Sequence, residues 1–412
     1  MFSLPTQPKC SQYWPNAGET RTWGHFITEG VKEETFAEFV IREFKLKNEE
    51  TKKMRRIYQL HFTSWPDKGT PKYAYPLGRL PPEVAQSRAC TSRSSRRTLQ
   101  VNGDAVASIF IRALQTILAT FLRIAGIGRT GTFIAIDILT NEVATEGHVD
   151  VFSCVNQLRT QRMNMVQTLD QYVYIYQALI EARQETAVSC SQLKQTFDEL
   201  CREEKLAEQF KQLNVLTSQS DQGACAAREP SNVGKNRDPD IVPGDDDRPK
   251  LVTPWRGTCN DYINAAFVHG YKERKAYIVT QTPMPNTVID FWRLMADHKS
   301  CTVVMLEDCD VDDDTCAIYW PKDESTRQQY GPFDVQLVDS VNETANVTVR
   351  QFQLTKSGGD GDHVTVVKQF CLTDWSETES VPNNKRVFIE LLGMIEKWQQ
   401  QNGNGPITVH CS

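Results

Sequence analysis

The string Ala125-Gly126-Ile127-Gly128-Arg129-Thr130-Gly131, followed by an apolar run with helical spacing, is the part of this sequence best suited to chemistry. Glycines there let successive backbone N–H groups point inward at an oxyanion, and a helix N-terminus adds positive potential. Arg129 would add a planar guanidinium that matches two phosphate oxygens. The same letters fit Gly-x-Gly-x-x-Gly, a dinucleotide fingerprint, with Asp150 at the distance of a ribose-binding acid. That reading needs a strand beforehand, whereas the preceding residues look helical and contain Arg112 and Arg123. A plain glycine turn into a helix is the third reading.

The elements that must position this string belong to a duplicated chain. Cys10-Ser-Gln-Tyr13-Trp14-Pro15 recurs as Cys316-Ala-Ile-Tyr319-Trp320-Pro321, and Trp65-Pro66-Asp67 recurs in weaker form as Trp375-Ser376-Glu377. Alternating strand-like stretches, Arg56–Phe62 and Thr365–Cys371, precede the Trp motifs. Like motifs at near-constant offsets mean duplicated domains. The second half alternates strands (Ala276–Thr280, Thr302–Leu306) with helices (Val288–His298, Lys385–Gln400), and the first half ends in two helices, Thr132–Glu146 and Gln171–Arg183. Gln184–Leu213 is helical in pattern, and Thr217–Asp247, with the run Asp245-Asp246-Asp247, reads as a solvated connection. The expected fold class is α/β (α+β).

Composition narrows the choice. The 412 residues are 40% hydrophobic and 24% charged, an ordinary globular balance. A net charge of -6 argues against nucleic-acid binding. Twelve Cys and seven His form no zinc-type spacing, and scattered cysteines fit a reducing cytosol. Ala105–Leu122 is apolar, but Arg112 and Gln115 in its middle favour a buried helix over a membrane span.

Taken together, AGIGRTG, SWPDKG, KCSQYWP, QTLDQY, KNRDPD, DYINAA and VTQTPMPNTVIDFWRL resemble the tandem domains of receptor-type protein-tyrosine phosphatases. The resemblance implies two domains, each a mixed twisted sheet flanked by helices. It also implies hydrolysis of phosphotyrosine through a phosphocysteine intermediate, with no metal and no organic cofactor. A cysteine thiolate, its pKa lowered by a helix N-terminus, attacks phosphorus, and an acid on a loop protonates the leaving phenol. In the first domain Asp67 matches the acid, Arg129 the phosphate-binding arginine, and Gln167 and Gln171 the residues that place water. Lys9 matches the lysine that contacts the acid loop, and Ala125, Gly126, Ile127, Gly128, Thr130 and Gly131 match the phosphate-binding loop.

The departures carry as much weight. The pattern requires His-Cys-Ser before Ala125, where this sequence has Leu122-Arg123-Ile124, so Arg123 stands at the nucleophile position. In the second domain Asp238, Thr315 and Ser376-Glu377 replace family residues, while His410-Cys411-Ser412 supplies the nucleophile motif with Cys411 as the thiol. Residues 80–124 have no counterpart in the second half and read as a foreign segment, of the kind a splicing or assembly break would insert. The expected organisation is 1–185 for an N-terminally truncated first domain and 186–247 for the connection and the start of the second. Residues 248–412 then form the rest of a C-terminally truncated second domain. Three readings of function follow: a phosphatase active in its intact parent and impaired here, a pseudophosphatase that binds without turnover, or a truncated product with no independent function. Expected partners are phosphotyrosine proteins and, through dimerisation, a further phosphatase domain. The expected location is the cytoplasm, with the membrane reached only through a span of the parent. Asn342-Glu-Thr344 and Asn346-Val-Thr348 are glycosylation-type triplets and read as incidental in that compartment.

Overall fold

The computed structural model describes residues 12–66, 70–71, 127–182, 188–217, 223–255, 260–306, 316–324, 326–356, 364–373, 375, 379–403 and 405–411. Lys9, Asp67, Arg123, Ala125, Gly126, the segment 80–124 with its apolar stretch, and Ser412 lie outside them. The chain divides into two compact units, Met1–Lys205 and Leu206–Ser412.

The first unit contains β1 (Thr20–Trp23), β2 (Phe26–Thr35), β3 (Phe39–Asn48) and β4 (Met54–Phe62). They form an antiparallel meander in chain order. Val40, Ile41 and Phe44 of β3 are buried, and the charged Arg42 and Glu43 between them are largely covered, Arg42 paired with Glu33 of β2 and Glu43 with Arg56 of β4. The strand expected at Arg56–Phe62 is β4, with Arg42 of β3 directly opposite its Gln59. At Gly30 the β2 ladder slips by a residue. A Cβ there would come within 2.2 Å of the Asn16 carbonyl oxygen, so glycine lets the Tyr13–Asn16 segment lie against the sheet.

Among the described residues three helices follow in this unit before residue 183: α1 (Gly128–Glu146), α2 (Val151–Gln161) and α3 (Leu169–Ala182). Their shared core includes Ala135, Leu139, Val155, Leu158, Tyr174 and Ile175. Asp150 begins α2 by accepting a hydrogen bond from the Ser153 amide at 2.9 Å, which holds its carboxyl below the usual range. Gly147 ends α1 in the left-handed region, φ 74°. The helical pattern of Gln184–Leu213 resolves into α4 (Leu193–Arg202) and α5 (Lys205–Thr217). They break at Glu203-Glu204, where Glu204 adopts φ 54°.

The second unit takes in α5 from Leu206 onward and continues with a one-turn α6 (Cys225–Arg228) and a 3₁₀ turn at Val233–Lys235. The acidic run before its sheet is not wholly a solvated loop. Asp245 accepts hydrogen bonds from the Cys225 and Ala226 amides at 2.9 and 3.0 Å, and the Ala226 bond above all lowers its pKa. The remaining elements are β5 (Ala265–Val268), β6 (Tyr277–Gln281), α7 (Val288–Asp297), β7 (Thr302–Met305), β8 (Arg327–Tyr330), β9 (Phe333–Thr344), β10 (Val347–Lys356), β11 (Val364–Leu372), α8 (Lys385–Asn402) and β12 (Ile407–Cys411).

These strands form an eight-stranded mixed sheet of order β5-β6-β12-β7-β11-β10-β9-β8. β12 runs parallel to β6 and β7 on either side, and β7 is parallel to β11. Phe291, Trp292 and Met295 of α7 pack on one face with Val303, Val335, Phe352 and Val367. Val387, Leu391 and Ile395 of α8 pack on the other with Val304, Val349 and Phe370. Strands covered on both faces lose the polar alternation, as in the fully buried Thr302–Met305, where Val303, Val304 and Met305 run together and the Thr302 hydroxyl donates to Gln399. The first unit's sheet, among the described residues, is purely antiparallel; the mixed sheet belongs to the second unit.

Candidate active site

In the first unit the start of α1 meets the segment before α3. No side chain among the described residues caps Ile127, and the first turn of α1 contains no acid. Its leading N–H groups are therefore available to an anion. Gly131 is required by close approach: a Cβ there would lie 2.5 Å from the Val166 amide nitrogen. That amide donates to the Ile127 carbonyl at 3.1 Å, while the Arg159 guanidinium donates to the Met165 and Val166 carbonyls at 2.9 and 2.8 Å. Val166 is held at φ 59°, a conformation costly for a β-branched residue and seen where the surroundings over-determine the backbone.

This clamp delivers the two glutamines. The Gln167 amide donates to Gln171 Oε1 at 2.8 Å, and Gln171 is buried. A Cβ on Gly128 would meet Gln171 Nε2 at 2.9 Å and Gln167 Oε1 at 3.4 Å, so both amide groups stand at the first residue of α1. Arg129, next along, is exposed. Its guanidinium donates to the Pro66 carbonyl and lies 5.8 Å from the Trp65 ring centroid. Trp65 in turn meets Tyr174 of α3 at 5.8 Å, whose hydroxyl pKa is raised by burial. Of the residues read from the sequence, the fold thus gathers Ile127, Gly128, Arg129, Gly131, Gln167 and Gln171, and places Thr130, half-buried, in the same turn. The backbone just before Asp67 is brought to Arg129.

In the second unit Cys411 is exposed at the C-terminal end of β12, the strand flanked by parallel neighbours. Ligands of open sheets with parallel strands are held outside such ends. Thr282 organises the surroundings. Its amide donates to the Cys411 carbonyl at 2.9 Å, its carbonyl accepts from Arg237 at 3.1 Å, and its hydroxyl lies 2.9 Å from His410 Nδ1. His410 is buried, with Nε2 2.8 Å from the Tyr319 hydroxyl. Lys235 pairs with Asp290 at 2.8 Å, and Arg293 pairs with the same carboxylate at 2.7 Å. Tyr262 donates to Asn236 at 2.5 Å, and burial pushes its pKa up to about 12. The KNR and DYINAA motifs therefore serve partly as scaffold.

Sequence reading missed three parts of this arrangement: the Trp65–Arg129 contact, the Arg159 clamp, and the glutamines behind the Tyr residues. Gln59 donates to Tyr13 at 2.9 Å, and Gln369 donates to Tyr319 at 2.5 Å. The signal lay in the repeat itself, because Gln59 and Gln369 occupy like places in the two strands that precede the Trp motifs.

The family model for protein-tyrosine phosphatases matches residues 3–181 and 232–412. Receptor-type tyrosine-protein phosphatase U of Gallus gallus is 33% identical over 414 residues, which span 98% of this chain and 27% of that protein. Receptor-type tyrosine-protein phosphatase alpha is 33% identical over 418 residues in both Homo sapiens and Mus musculus, spanning 98% of this chain and 48% and 46% of those proteins. The chain thus covers less than half the length of these relatives. With the family pattern matched twice along a duplicated chain, this protein belongs to the protein-tyrosine phosphatase family, with two such domains in tandem.

Proposed function

We propose that this chain is the tandem phosphatase portion of a receptor-type protein-tyrosine phosphatase, and that it binds phosphotyrosine proteins without turning them over. In the intact parent the reaction is phosphotyrosine hydrolysis through a phosphocysteine. The observation that carries the reading is the gathering of Arg129, the uncapped start of α1, Gln167 and Gln171 around one point. A guanidinium and a helix N-terminus hold a phosphoryl group, and two amide groups beside them suit a water molecule. A step is missing: Arg123 at the nucleophile position cannot form a thiophosphate bond. We assign the catalytic roles Asp67, Arg129, Gln167 and Gln171 to the first domain and the nucleophile motif at Cys411 to the second. Ala125–Gly131 and Lys9 are assigned to substrate binding.

The domain limits we favour are 1–185, 186–247 and 248–412. Among the described residues no helix is long and apolar enough to cross a membrane. We place the chain on the cytoplasmic side, anchored through the parent, with dimerisation of phosphatase domains as a second partnership. The test is fluorescence polarisation with a labelled phosphotyrosine peptide, run beside phosphate release. Saturable binding that Arg129→Ala weakens, with no phosphate released, supports the reading. Equal binding of the unphosphorylated peptide overturns it.

A further inference from the structure

Two helices of the first unit turn apolar stripes to solvent. On α3, Leu169, Val173, Tyr176 and Ile180 recur at the spacing of one helix face and are 74%, 44%, 45% and 54% exposed. They lie on the side away from Tyr174, Ile175 and Ala178, which bury the helix in the core of its own unit. On α4, Leu193 and Phe197 form a second stripe, 59% and 54% exposed, with Leu200 half-buried on the same face. No residue of this 10-residue helix is buried. A helix that short is marginal alone in water, and covering its apolar side is what stabilises it.

We propose that the α4 stripe of one copy docks on the α3 stripe of a second copy, and that a twofold axis repeats the contact in the other direction. Were α4 seated on its own α3, both stripes would be covered, and both are exposed. A lipid surface does not fit α4, which balances Lys194 and Arg202 against Asp198 and Glu199, whereas helices that lie on membranes carry a cationic face. The borders of the two stripes are complementary in charge. Asp170 and Glu181 follow Leu169 and Ile180 on α3, and Lys194 follows Leu193 on α4. Each copy offers both an α3 and an α4, so two copies cover all four stripes and the assembly closes. An unrelated helix laid on one stripe leaves the other bare. This names the surface for the dimerisation placed above and rests on that reading.

The test is sedimentation velocity on the full chain over a range of concentrations, where the unaltered chain is expected to pass from monomer to dimer. Val173→Lys and Phe197→Glu each alter an exposed position. Each alone damages both reciprocal contacts and is expected to weaken the dimer by at least about tenfold. Mixed in equal amounts, the two variants are expected to regain dimer, because one contact is then unaltered and the other sets an ammonium against a carboxylate. A mixture no more dimeric than its parts overturns the reciprocal arrangement. A dimer that neither substitution weakens overturns the contact and leaves the dimerisation reading standing, whereas an unaltered chain that stays monomeric overturns both. Hydrogen exchange of the unaltered chain needs no variant to fold: amides of α3 and α4 are expected to slow as the dimer fills, and unchanged exchange in either helix overturns the proposal. None of these readouts involves peptide binding or phosphate release.

Discussion

Arg129 is exposed and uses part of its fork on the Pro66 carbonyl and the Trp65 ring, leaving the remaining donors for a phosphate. A hydrogen bond to a charged group contributes about 1.5–3 kcal/mol. Arg129→Ala is therefore expected to weaken phosphotyrosine-peptide binding by roughly 10- to 100-fold. Arg129→Lys is expected to recover only part of it, because an ammonium lacks the planar fork. Titration of the labelled peptide checks both. Arg129 was legible from the sequence because its neighbours form a compact, ordered motif. Its contact with Trp65 was not, since the two are far apart in the chain and only the tertiary fold joins them. The same holds for Gln369 and Tyr319, which only the tertiary fold brings to one hydrogen bond.

At the scale of elements, the glycine at 131 decides whether α1 can sit against the Val166 segment. Gly131→Ala forces a methyl into a 2.5 Å contact with backbone nitrogen, and overpacking of this kind costs about 1–3 kcal/mol. The expected result is a lower midpoint for the first unit's denaturant unfolding and a loosened Gln167–Gln171 pair. In the second unit, α7 is anchored by Asp290 between Lys235 and Arg293, all largely buried. Asp290→Asn replaces the carboxylate shared by two cations with a neutral amide, leaving Lys235 and Arg293 only uncharged partners, a change expected to cost about 3–5 kcal/mol. His298, just past the end of α7, packs edge-on to Phe267 at 5.3 Å, and burial lowers its pKa. With the folded value below the unfolded one, the unfolded chain binds more protons as pH falls through about 6.5. The second unit is expected to lose stability there, and His298→Gln to flatten that slope; thermal melts from pH 8 to 5 check it. The strands and helices of this unit were largely readable because apolar periodicity and length are local. The split of α4 from α5 was not, since nothing in the Glu203-Glu204 pair signals a positive φ.

At the scale of the molecule, a duplicated chain forms two compact units, each with its own core. Separate cores are expected to unfold as separate cooperative steps. Gly131→Ala should then lower one calorimetric transition and Asp290→Asn the other, and a single transition moved by both variants would contradict this. The repeat was visible as paired motifs, but which half retained which part of the machinery emerged only by aligning the motifs against each other. The first unit carries Arg129, Gln167 and Gln171 at the start of α1 and the segment before α3, and the second carries Cys411 at the end of a central strand. Under the proposed function, phosphoester binding persists in this chain while chemistry is lost at position 123. Phosphate release from a phosphotyrosine peptide separates the two, comparing the unaltered chain with one carrying Leu122→His, Arg123→Cys and Ile124→Ser. The expected result is no release from the unaltered chain and measurable release from the restored one. Release from the unaltered chain at the restored chain's rate would contradict the claim.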